Sequence, residues 1–487
     1  MAQKGFTLPP PDISYIEEGM MNGDLREFEE TGIITPERMR VVDRNAIHLG
    51  VEGIRLMEAA GVELAAVAMR HSPDNVLILC GGGNNSGDGF VAARHLQRET
   101  EVHVIYPKDR VKTPDALANL RLLKHCSVSL HPVSCPSDVS SLAFLYENAG
   151  VIIDAILGTG AYGELREPFA SMAGPVTKSN ATVISADIPT PGLTPDIICG
   201  FHRPKTEGSE RVDIGIPFEA EVFTGPGDLL MIPKKDSSAH KGAGGRVLVI
   251  GGGPYQGAPY LAGMAALRAG ADIVRIASPV VMQFPDLIVK ELEGSCISES
   301  HLDELVRLIE NSDAVVCGCG LGDQSHDVIT EVAPYMKKAV FDADALRQPL
   351  PSAAETIFTP HAGELERIAG CRVQGTLCER AAALKSFAAN SGNDSTILLK
   401  GETDIITNGG RLRFNRTGHP GMTTGGTGDV LAGICGALLC RIPAFEAACT
   451  ASYINGCAGM AAGSVKGDGM IATDLLEYIP SIILGDN

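Results

Sequence analysis

The chain has 487 residues, of which 44% are hydrophobic and 20% are charged, and it carries a formal net charge of −19. This length exceeds what one hydrophobic core usually serves, so at least two domains are expected, and the composition excludes a largely disordered chain. The acidic balance argues against a nucleic-acid partner, because such binding depends on clustered Lys and Arg. No stretch reaches the roughly 20 apolar residues of a membrane span.

The cysteines and the N-terminal residues indicate a cytoplasmic protein. The thirteen cysteines are scattered, and the closest pair, Cys317 and Cys319, lacks the CxxC spacing of a zinc site. Reduced thiols are therefore expected. No apolar segment of a signal peptide follows Met1.

The elements of the first half predict an α/β domain. Residues 1–30 are polar and acidic and form an extension of unknown role. A helix is predicted to begin near Thr35, an N-cap followed by Pro36 and Glu37. Apolar runs typical of buried parallel strands then alternate with helical stretches, at residues 75–80, 102–106, 151–156 and 182–188. This alternation predicts a mostly parallel sheet with helices on both faces.

A lapse in periodicity separates the two halves. It runs from about residue 218 to 241, through a stretch rich in Gly, Pro and Lys, and we place the domain boundary there. The first domain is expected to span residues 31–230 and the second residues 235–487. In the second half, short apolar runs predict strands at residues 246–250, 314–317, 339–341 and 396–399. The expected fold class is α/β, with two three-layer domains.

A glycine-rich loop and two strand ends carry polar residues in the first half. Residues 83–89 follow the first predicted strand and open a helix, so their backbone N–H groups can face a phosphate. The loop has neither the Lys-Ser/Thr ending of a P-loop nor GxGxxG spacing, so a purely structural tight loop is an alternative. Asp154 lies at the end of one later strand, and Asp187 and Thr190 lie at the end of another, at the same predicted edge of the sheet. Their oxygen atoms suit a hard cation or acid/base chemistry.

The first half resembles the NAD(P)H-hydrate epimerase family over roughly residues 31–230, in the loop Asn84-Asn85-Ser86-Gly87-Asp88-Gly89 and in the strand ends that begin at Asp154 and Asp187. The resemblance implies a Rossmann-like domain of the YjeF N-terminal type, with Asp187 as the acid/base. It implies that the hydrated nucleotide binds Asn84, Asn85, Ser86, Gly87, Asp88, Gly158, Thr159, Gly160, Tyr162, Glu164 and Asp187. A potassium ion would be held by Asn85, Asp154 and Thr190. The chain departs from the family at Ser86, which replaces a glycine, at Ala59, which replaces an asparagine, and at Thr190-Pro191, which replaces Ser-Gly.

The most specific motif of the second half is the run from Asn415 to Asp429, which leads directly into an apolar helix. Its glycines permit an anion-binding site at a helix N-terminus. Asp429 in the first turn can take a proton from a hydroxyl that attacks phosphorus. The pattern is typical of phosphoryl transfer, although Asp429 could alternatively serve only as an N-terminal helix charge.

This run resembles the Gly-x-Gly-Asp signature of ribokinase-like enzymes. Other segments narrow the resemblance to the ADP-dependent NAD(P)H-hydrate dehydratases over residues 235–485: residues 240–242, 257–259, 318–322, 342–346, 359–364 and 399–401. Asp429 would then be the catalytic base, and the hydrated dinucleotide would bind Ala258, Gly320, Gly322, His361 and Asp429. The adenine nucleotide would bind Lys400, Gly401, Glu402, Thr403, Asp404 and Gly428. Mg²⁺ is expected with ADP, although the sequence shows no dedicated metal cage. His361 as a core histidine is the alternative, and Cys319 stands where the family usually has proline.

Together the two resemblances imply a bifunctional enzyme. It would interconvert the epimers of hydrated NADH and NADPH (NADHX and NADPHX) and dehydrate the S epimer with ADP as co-substrate, releasing AMP and phosphate. We expect a homo-oligomer with no nucleic-acid or membrane partner. Two alternatives stay open: a ribokinase-like small-molecule kinase, and a first half that serves only as a non-catalytic binding module.

Overall fold

The computed structural model describes residues 24–158, 164–235, 240, 242–370, 372–390 and 395–485. Two compact units make up the chain. The N-terminal domain is Thr31–Pro217, and the C-terminal domain combines the chain from Phe218 onwards with the segment that ends at Glu30. None of the helices in the described ranges is both long enough and apolar enough to cross a membrane.

The described part of the N-terminal domain contains a seven-stranded sheet. Its strands are β1 (Asn75–Cys80), β2 (Glu101–Pro107), β3 (Ser129–Val133), β4 (Val151–Ala155), β5 (Thr182–Ala186), β6 (Ile197–Phe201) and β7 (Glu210–Val212). Every neighbouring pair is parallel, in the order β3-β2-β1-β4-β5-β6-β7. The order reverses between β1 and β4, so a crevice opens beyond the carboxyl ends of these two strands.

Helices cover both faces of this sheet. They are α1 (Pro36–His48), α2 (Gly53–Met69), α3 (Asn84–Leu96), α4 (Pro114–Leu123), α5 (Pro136–Ser140), α6 (Ala143–Asn148) and α7 (Phe169–Ala173). On one face α3 packs between α2 and α4. On the other, Leu77 and Leu79 of β1 pack with residues of α5, α6 and α7. Helix α1 begins as predicted, because the Thr35 hydroxyl accepts the Arg38 N–H at 3.2 Å.

The C-terminal domain has its own larger sheet. Within the described residues its nine strands are β8 (Arg246–Ile250), β9 (Ile273–Ser278), β10 (Ile288–Glu291), β11 (Ala314–Cys317), β12 (Lys338–Phe341), β13 (Glu355–Phe358), β14 (Ser395–Leu399), β15 (Asp404–Thr407) and β16 (Leu412–Asn415). The order is β10-β9-β8-β11-β12-β13-β14-β15-β16. Strands β8 to β14 pair in parallel, whereas β15 and β16 add an antiparallel edge. This order reverses between β8 and β11, which again places a crevice at the carboxyl edge.

Two helical layers enclose the second sheet. The helices are α8 (Glu219–Val222), α9 (Ala258–Arg268), α10 (Leu302–Glu310), α11 (His326–Val332), α12 (Ala362–Ala369), α13 (Leu377–Asn390), α14 (Thr427–Leu439), α15 (Ala444–Lys466) and α16 (Ala472–Leu484). Val247 and Val249 of β8 face a core shared with α9, α14, α15 and α16. Leu248 and Ile250 face the opposite core, shared with α10 to α13. The predicted three-layer α/β class is confirmed.

The domain limit lies nearer the N-terminus than the sequence suggests. Residues 218–230, expected in the first domain, pack with the second, because Arg413 of β16 forms a fully buried ion pair with Asp228. The part of the extension that the structure describes also packs there, with Leu25 and Phe28 in the core. The Phe28 ring lies 5.7 Å from that of Phe414. Both segments show little apolar periodicity, so the sequence does not indicate that they pack with the C-terminal domain.

Candidate active sites

A pocket of about 800 Å³ lies at the carboxyl edge of the first sheet. Side chains of α1 and α2, the turn after β1 and the loops after β4, β5 and β6 line it. Five residues predicted to bind substrate are among them: Asn84, Asn85, Asp88, Gly158 and Asp187. The turn is tight because a Cβ on Gly81 would lie 1.8 Å from the Ile156 carbonyl oxygen. Helix α3 then starts at Asn84, so its free N–H groups face the pocket.

Other predicted members of this site lie elsewhere. Ser86 is fully buried and donates its hydroxyl to the Gly83 carbonyl. Gly87 lies where α3 contacts α2, since a Cβ there would meet the Met57 sulfur at 2.4 Å. Glu164 is exposed. Thr159, Gly160 and Tyr162 fall outside the described residues.

Of the three residues predicted to hold potassium, Asp154 and Thr190 are hydrogen-bonded to each other, and Asn85 contacts the backbone that follows the same two strands. Asp154 is fully buried and accepts hydrogen bonds from the Thr190 N–H at 2.8 Å and the Thr190 hydroxyl at 2.7 Å. Asn85 donates its side-chain N–H to the carbonyl oxygens of Leu157 and Ala186, at 2.6 and 3.0 Å. Burial raises the pKa of Asp154, and its hydrogen bonds with Thr190 only partly offset this effect. Buried carboxylate, hydroxyl, amide and carbonyl oxygens of this kind fit a hard monovalent cation.

Asp187, the predicted acid/base, has an ammonium partner that the sequence did not indicate. Its backbone φ is +65°, a left-handed conformation that costs energy in a non-glycine residue. Its carboxylate lies 2.6 Å from Lys205 Nζ, and both side chains are largely buried. Burial raises the pKa of Asp187 and Lys205 lowers it.

Two further carboxyl groups belong to the same cluster. Asp43 of α1 and Asp88 of α3 line the pocket with Asp187 and Lys205. Burial raises the pKa of Asp43 to about 6 and that of Asp88 well above its usual range. One feature of the sequence points to Asp43, which is a charged residue on the apolar face of α1 beside the buried Met39 and Val42. Buried carboxyl groups with raised pKa values beside an ammonium group suit proton transfer.

The C-terminal domain places Asp429 at the equivalent edge of its own sheet. Asp429 lies in the first turn of α14, after Gly426 at φ +99°. Beside it, Asp342 accepts the Thr359 hydroxyl and the Lys400 ammonium, each at 2.8 Å. Burial, and then the charge of Asp342, raise the pKa of Asp429 to about 6. A carboxyl with this pKa is ionised at neutral pH yet basic enough to accept a proton.

The predicted nucleotide residues surround Lys400. A Cβ on Gly428 would lie 3.3 Å from Lys400 Nζ, so the first turn of α14 and the lysine are adjacent. Gly401 and Glu402 are exposed, and Thr403 is half-buried, in the turn between β14 and β15. Asp404 is engaged by the protein itself, because its carboxylate accepts the Gly401 N–H, the Ser452 hydroxyl and the Asn415 amide. We therefore assign Asp404 to shaping this turn.

The predicted substrate residues of the second site occupy three loops. His361 is no core histidine: its side chain is 61% exposed, and Nδ1 accepts the N–H groups of Gly363 and Glu364 at the start of α12. Ala258 opens α9. Gly320 and Gly322 have positive φ values, and a Cβ on Gly320 would lie 2.3 Å from the Tyr255 carbonyl oxygen. These positions border the same carboxyl edge as Asp429.

Comparison with known proteins identifies both halves. A family model described as NAD(P)H-hydrate dehydratase matches residues 247–481, and one described as YjeF-related protein N-terminus matches residues 53–196. The bifunctional NAD(P)H-hydrate repair enzyme of Methanospirillum hungatei is 50% identical over 457 residues, covering 94% of this chain and 95% of that protein. The chain belongs to the bifunctional NAD(P)H-hydrate repair enzymes.

Another repair enzyme and a solved structure are also similar to this chain. The repair enzyme of Archaeoglobus fulgidus is 40% identical over 483 residues, covering 93% of this chain and 98% of that protein. Among solved structures, the ADP/ATP-dependent NAD(P)H-hydrate dehydratase of Bacillus subtilis, co-crystallised with ATP/Mg²⁺, is 25% identical, with a TM-score of 0.47, over 54% of this chain and 97% of that one.

The family that the motifs resemble is thus confirmed in both halves, as is the expectation of an enzyme with an epimerase-type and a dehydratase-type domain. Repair-enzyme relatives match the chain over more than nine-tenths of its length, which favours two activities over a kinase with an attached module. The roles of the individual site residues remain predictions. The structure adds Lys205 and Asp43 to the candidate site residues.

Proposed function

We propose that this protein repairs hydrated NADH and NADPH in two steps. The N-terminal domain interconverts the R and S epimers of NADHX and NADPHX. The C-terminal domain uses ADP to dehydrate the S epimer to NADH or NADPH, with release of AMP and phosphate. The observation that carries the proposal is Asp429, a carboxyl with a pKa raised to about 6 at a helix N-terminus beside the Asp342–Lys400 pair.

In the dehydratase step, Asp429 takes the proton of the 6-hydroxyl group while the hydroxyl oxygen attacks the β-phosphorus of ADP. The N-terminus of α14 and Lys400 attract the negatively charged phosphates. The phosphorylated hydroxyl then leaves as phosphate while the ring loses a proton, which restores the double bond. His361, exposed at the start of α12, would contact the dinucleotide.

Mg²⁺ bound to ADP would supply positive charge to the transferring phosphoryl group. In the described residues, the second site offers one group of three possible ligands, Cys319, Asp342 and Asp429. This set does not fit Mg²⁺, because a thiol is a poor ligand for a hard cation and Asp342 already pairs with Lys400. These three residues would therefore not hold the magnesium ion.

In the epimerase step, Asp187 is the acid/base, and Lys205 holds its carboxylate in place. Asn85, Asp154 and Thr190 would hold a potassium ion, whose charge would balance the buried Asp154 carboxylate and fix the ends of β4 and β5. The helix N-terminus at Asn84 would bind a phosphate of the dinucleotide. Cytoplasmic location and homo-oligomeric assembly are further parts of this proposal.

The decisive experiment follows the absorbance of reduced nicotinamide in a mixture of both NADHX epimers, with ADP, ATP or no nucleotide. The intact protein should restore the full absorbance when ADP is present. Asp429→Ala should abolish recovery, while Asp468→Ala, which changes an exposed aspartate of the same domain, should behave like the unmodified protein. Absence of recovery with either nucleotide would refute the proposed function.

A further inference from the structure

Two basic side chains line the pocket of the N-terminal domain on the side away from Asp187. They are Arg110 and Lys112, in the loop between β2 and α4. In the sheet, β2 and β5 lie three strand spacings apart, roughly 14 Å, with β1 between them. Asp187 follows β5 and helix α3 begins after β1. The proposed acid/base, the N-terminus of α3 and the basic loop therefore follow one another along the pocket.

The loop is held against the glycine turn that precedes α3. The Lys112 N–H donates to the Gly82 carbonyl at 3.1 Å. A Cβ on Gly82 would lie 2.5 Å from the Arg110 carbonyl oxygen. Arg110 Nη1 donates to the Glu167 carbonyl, in the chain after β4, at 2.9 Å. These contacts fix the loop at the pocket, and among the described residues neither basic side chain has a carboxylate partner.

The neighbouring charged groups of the pocket are engaged elsewhere. Arg40, a third cation that lines the pocket, pairs with Glu37 at 3.0 Å. Asp115, a carboxylate on the same side as the loop, lies against the start of α2, since a Cβ on Gly53 would lie 3.1 Å from its Oδ2. The N-terminus of a helix favours such a negative charge. Arg110 and Lys112 therefore keep their charges for a ligand.

A hydroxyl group beside these cations also lacks a partner. Thr113, the N-cap of α4, lines the pocket and makes no side-chain capping bond to its helix. Its Oγ1 is buried, and within the described part of the chain no hydrogen bond satisfies it. The free N–H groups of the first turn of α4 lie next to it. Two cations, a hydroxyl donor and a helix N-terminus thus converge on one part of the pocket, as phosphate recognition requires.

From this arrangement, and resting on the proposed epimerase activity, we propose that Arg110 and Lys112 bind the 2′-phosphate of NADPHX and make the epimerase prefer NADPHX to NADHX. With the reacting ring at Asp187 and the diphosphate at the N-terminus of α3, the adenosine ribose continues toward the loop after β2. A basic residue near the corresponding strand accommodates a 2′-phosphate in dinucleotide-binding sheets of related topology. This phosphate is the one group that distinguishes NADPHX from NADHX.

The test is the epimerisation of the purified R epimers of NADPHX and NADHX without ADP, followed by chromatographic separation of the epimers. The unmodified protein should have the lower KM for NADPHX. Arg110→Met and Lys112→Met should each raise the ratio of the KM for NADPHX to the KM for NADHX by at least about tenfold, because each removes a charge-assisted contact. Lys124→Met, the same change of charge at an exposed position just after α4, should leave the ratio unaltered.

A second readout needs no reaction. Calorimetry should show that Arg110→Met and Lys112→Met weaken the binding of adenosine 2′,5′-bisphosphate at least about tenfold more than that of AMP, which lacks the 2′-phosphate. An equal loss for NADPHX and NADHX would assign the two side chains to the diphosphate and overturn the proposal, and so would an unchanged KM ratio. Failure of the unmodified protein to interconvert either pair of epimers would instead remove the proposed function, and calorimetry would still decide whether the loop binds a 2′-phosphate.

Discussion

At the residue scale, the epimerase site concentrates carboxyl groups around one ammonium. Asp43, Asp88 and Asp187 surround Lys205, and burial raises the pKa of all three carboxyls. A raised pKa means that the folded protein binds protons that the unfolded chain releases. Folding is therefore opposed by these groups at neutral pH, and the opposition disappears as the pH falls. These buried carboxyl groups therefore lower the stability of the domain at neutral pH while they keep proton-binding groups in the pocket.

Asp43→Asn should stabilise the protein at pH 7.5 and weaken epimerisation. The pKa of Asp43 rises from 3.8 to about 6, so its cost is fully present above pH 6 and declines between pH 6 and 4. We expect a gain of about 1–3 kcal/mol at pH 7.5 and almost none at pH 4, measured by urea unfolding. Glu63→Gln, an exposed change in the same domain, should leave both quantities unaltered. An equal gain at both pH values would contradict this account.

Motif residues could be predicted from the sequence, and cluster residues could not. Asn84, Asp187 and Asp429 occupy strand ends or helix starts within local motifs, so a short window of sequence suffices to place them. Lys205 pairs with Asp187 only because the chain after β6 returns to that residue, and a short window of sequence does not show this contact.

At the element scale, burial on both faces decides which strands the sequence reveals. The runs at residues 75–80 and 246–250 match β1 and β8, whose apolar residues are enclosed by helices on either side. β10 lacks that signal, because it lies at a sheet edge and most of its residues are exposed. The segment Pro226–Met231 lacks it too, being anchored through polar atoms.

Arg413→Met should test the buried ion pair that holds Pro226–Met231 against the C-terminal domain. Asp228 would remain buried without its partner, and losing one member of a buried pair typically costs about 3–5 kcal/mol. We expect a loss of this size in urea unfolding of the C-terminal domain. Arg307→Met removes an exposed ion pair with Glu304 and should cost less than about 1 kcal/mol. Equal effects of the two changes would show that Pro226–Met231 is not held in this way.

Helix α14 depends on a glycine where it crosses α9. A Cβ on Gly433 would lie 2.1 Å from the Ala262 carbonyl oxygen, so Gly433→Ala must push the helices apart. We expect a loss of at least about 2 kcal/mol in stability, together with reduced dehydratase activity, because Asp429 lies one turn earlier on the same helix. Gly469→Ala meets no atom within 4 Å and should be neutral. A neutral Gly433→Ala would place the helices further apart than we describe.

At the scale of the whole molecule, each domain has its own sheet, its own hydrophobic core and its own candidate active site. Asp187 and Lys205 lie in Thr31–Pro217, and Asp429, Asp342 and Lys400 lie in the C-terminal domain. Among the residues that the structure describes, the clusters around Asp187 and Asp429 each consist of residues of one domain. The epimer formed in the first reaction can therefore reach the second by diffusion, and the two activities should be separable by substitution.

Asp187→Ala should restore only the S fraction of an epimer mixture rapidly, and Asp429→Ala should restore none. An equimolar mixture of the two variants should recover the full absorbance of reduced nicotinamide, since each supplies the step that the other lacks. The recovery should be faster than the unaided interconversion of the epimers, measured with Asp187→Ala alone. If the mixture stops at the S fraction while the unmodified protein proceeds to completion, both sites must act within one chain, and the epimer must pass between them without release.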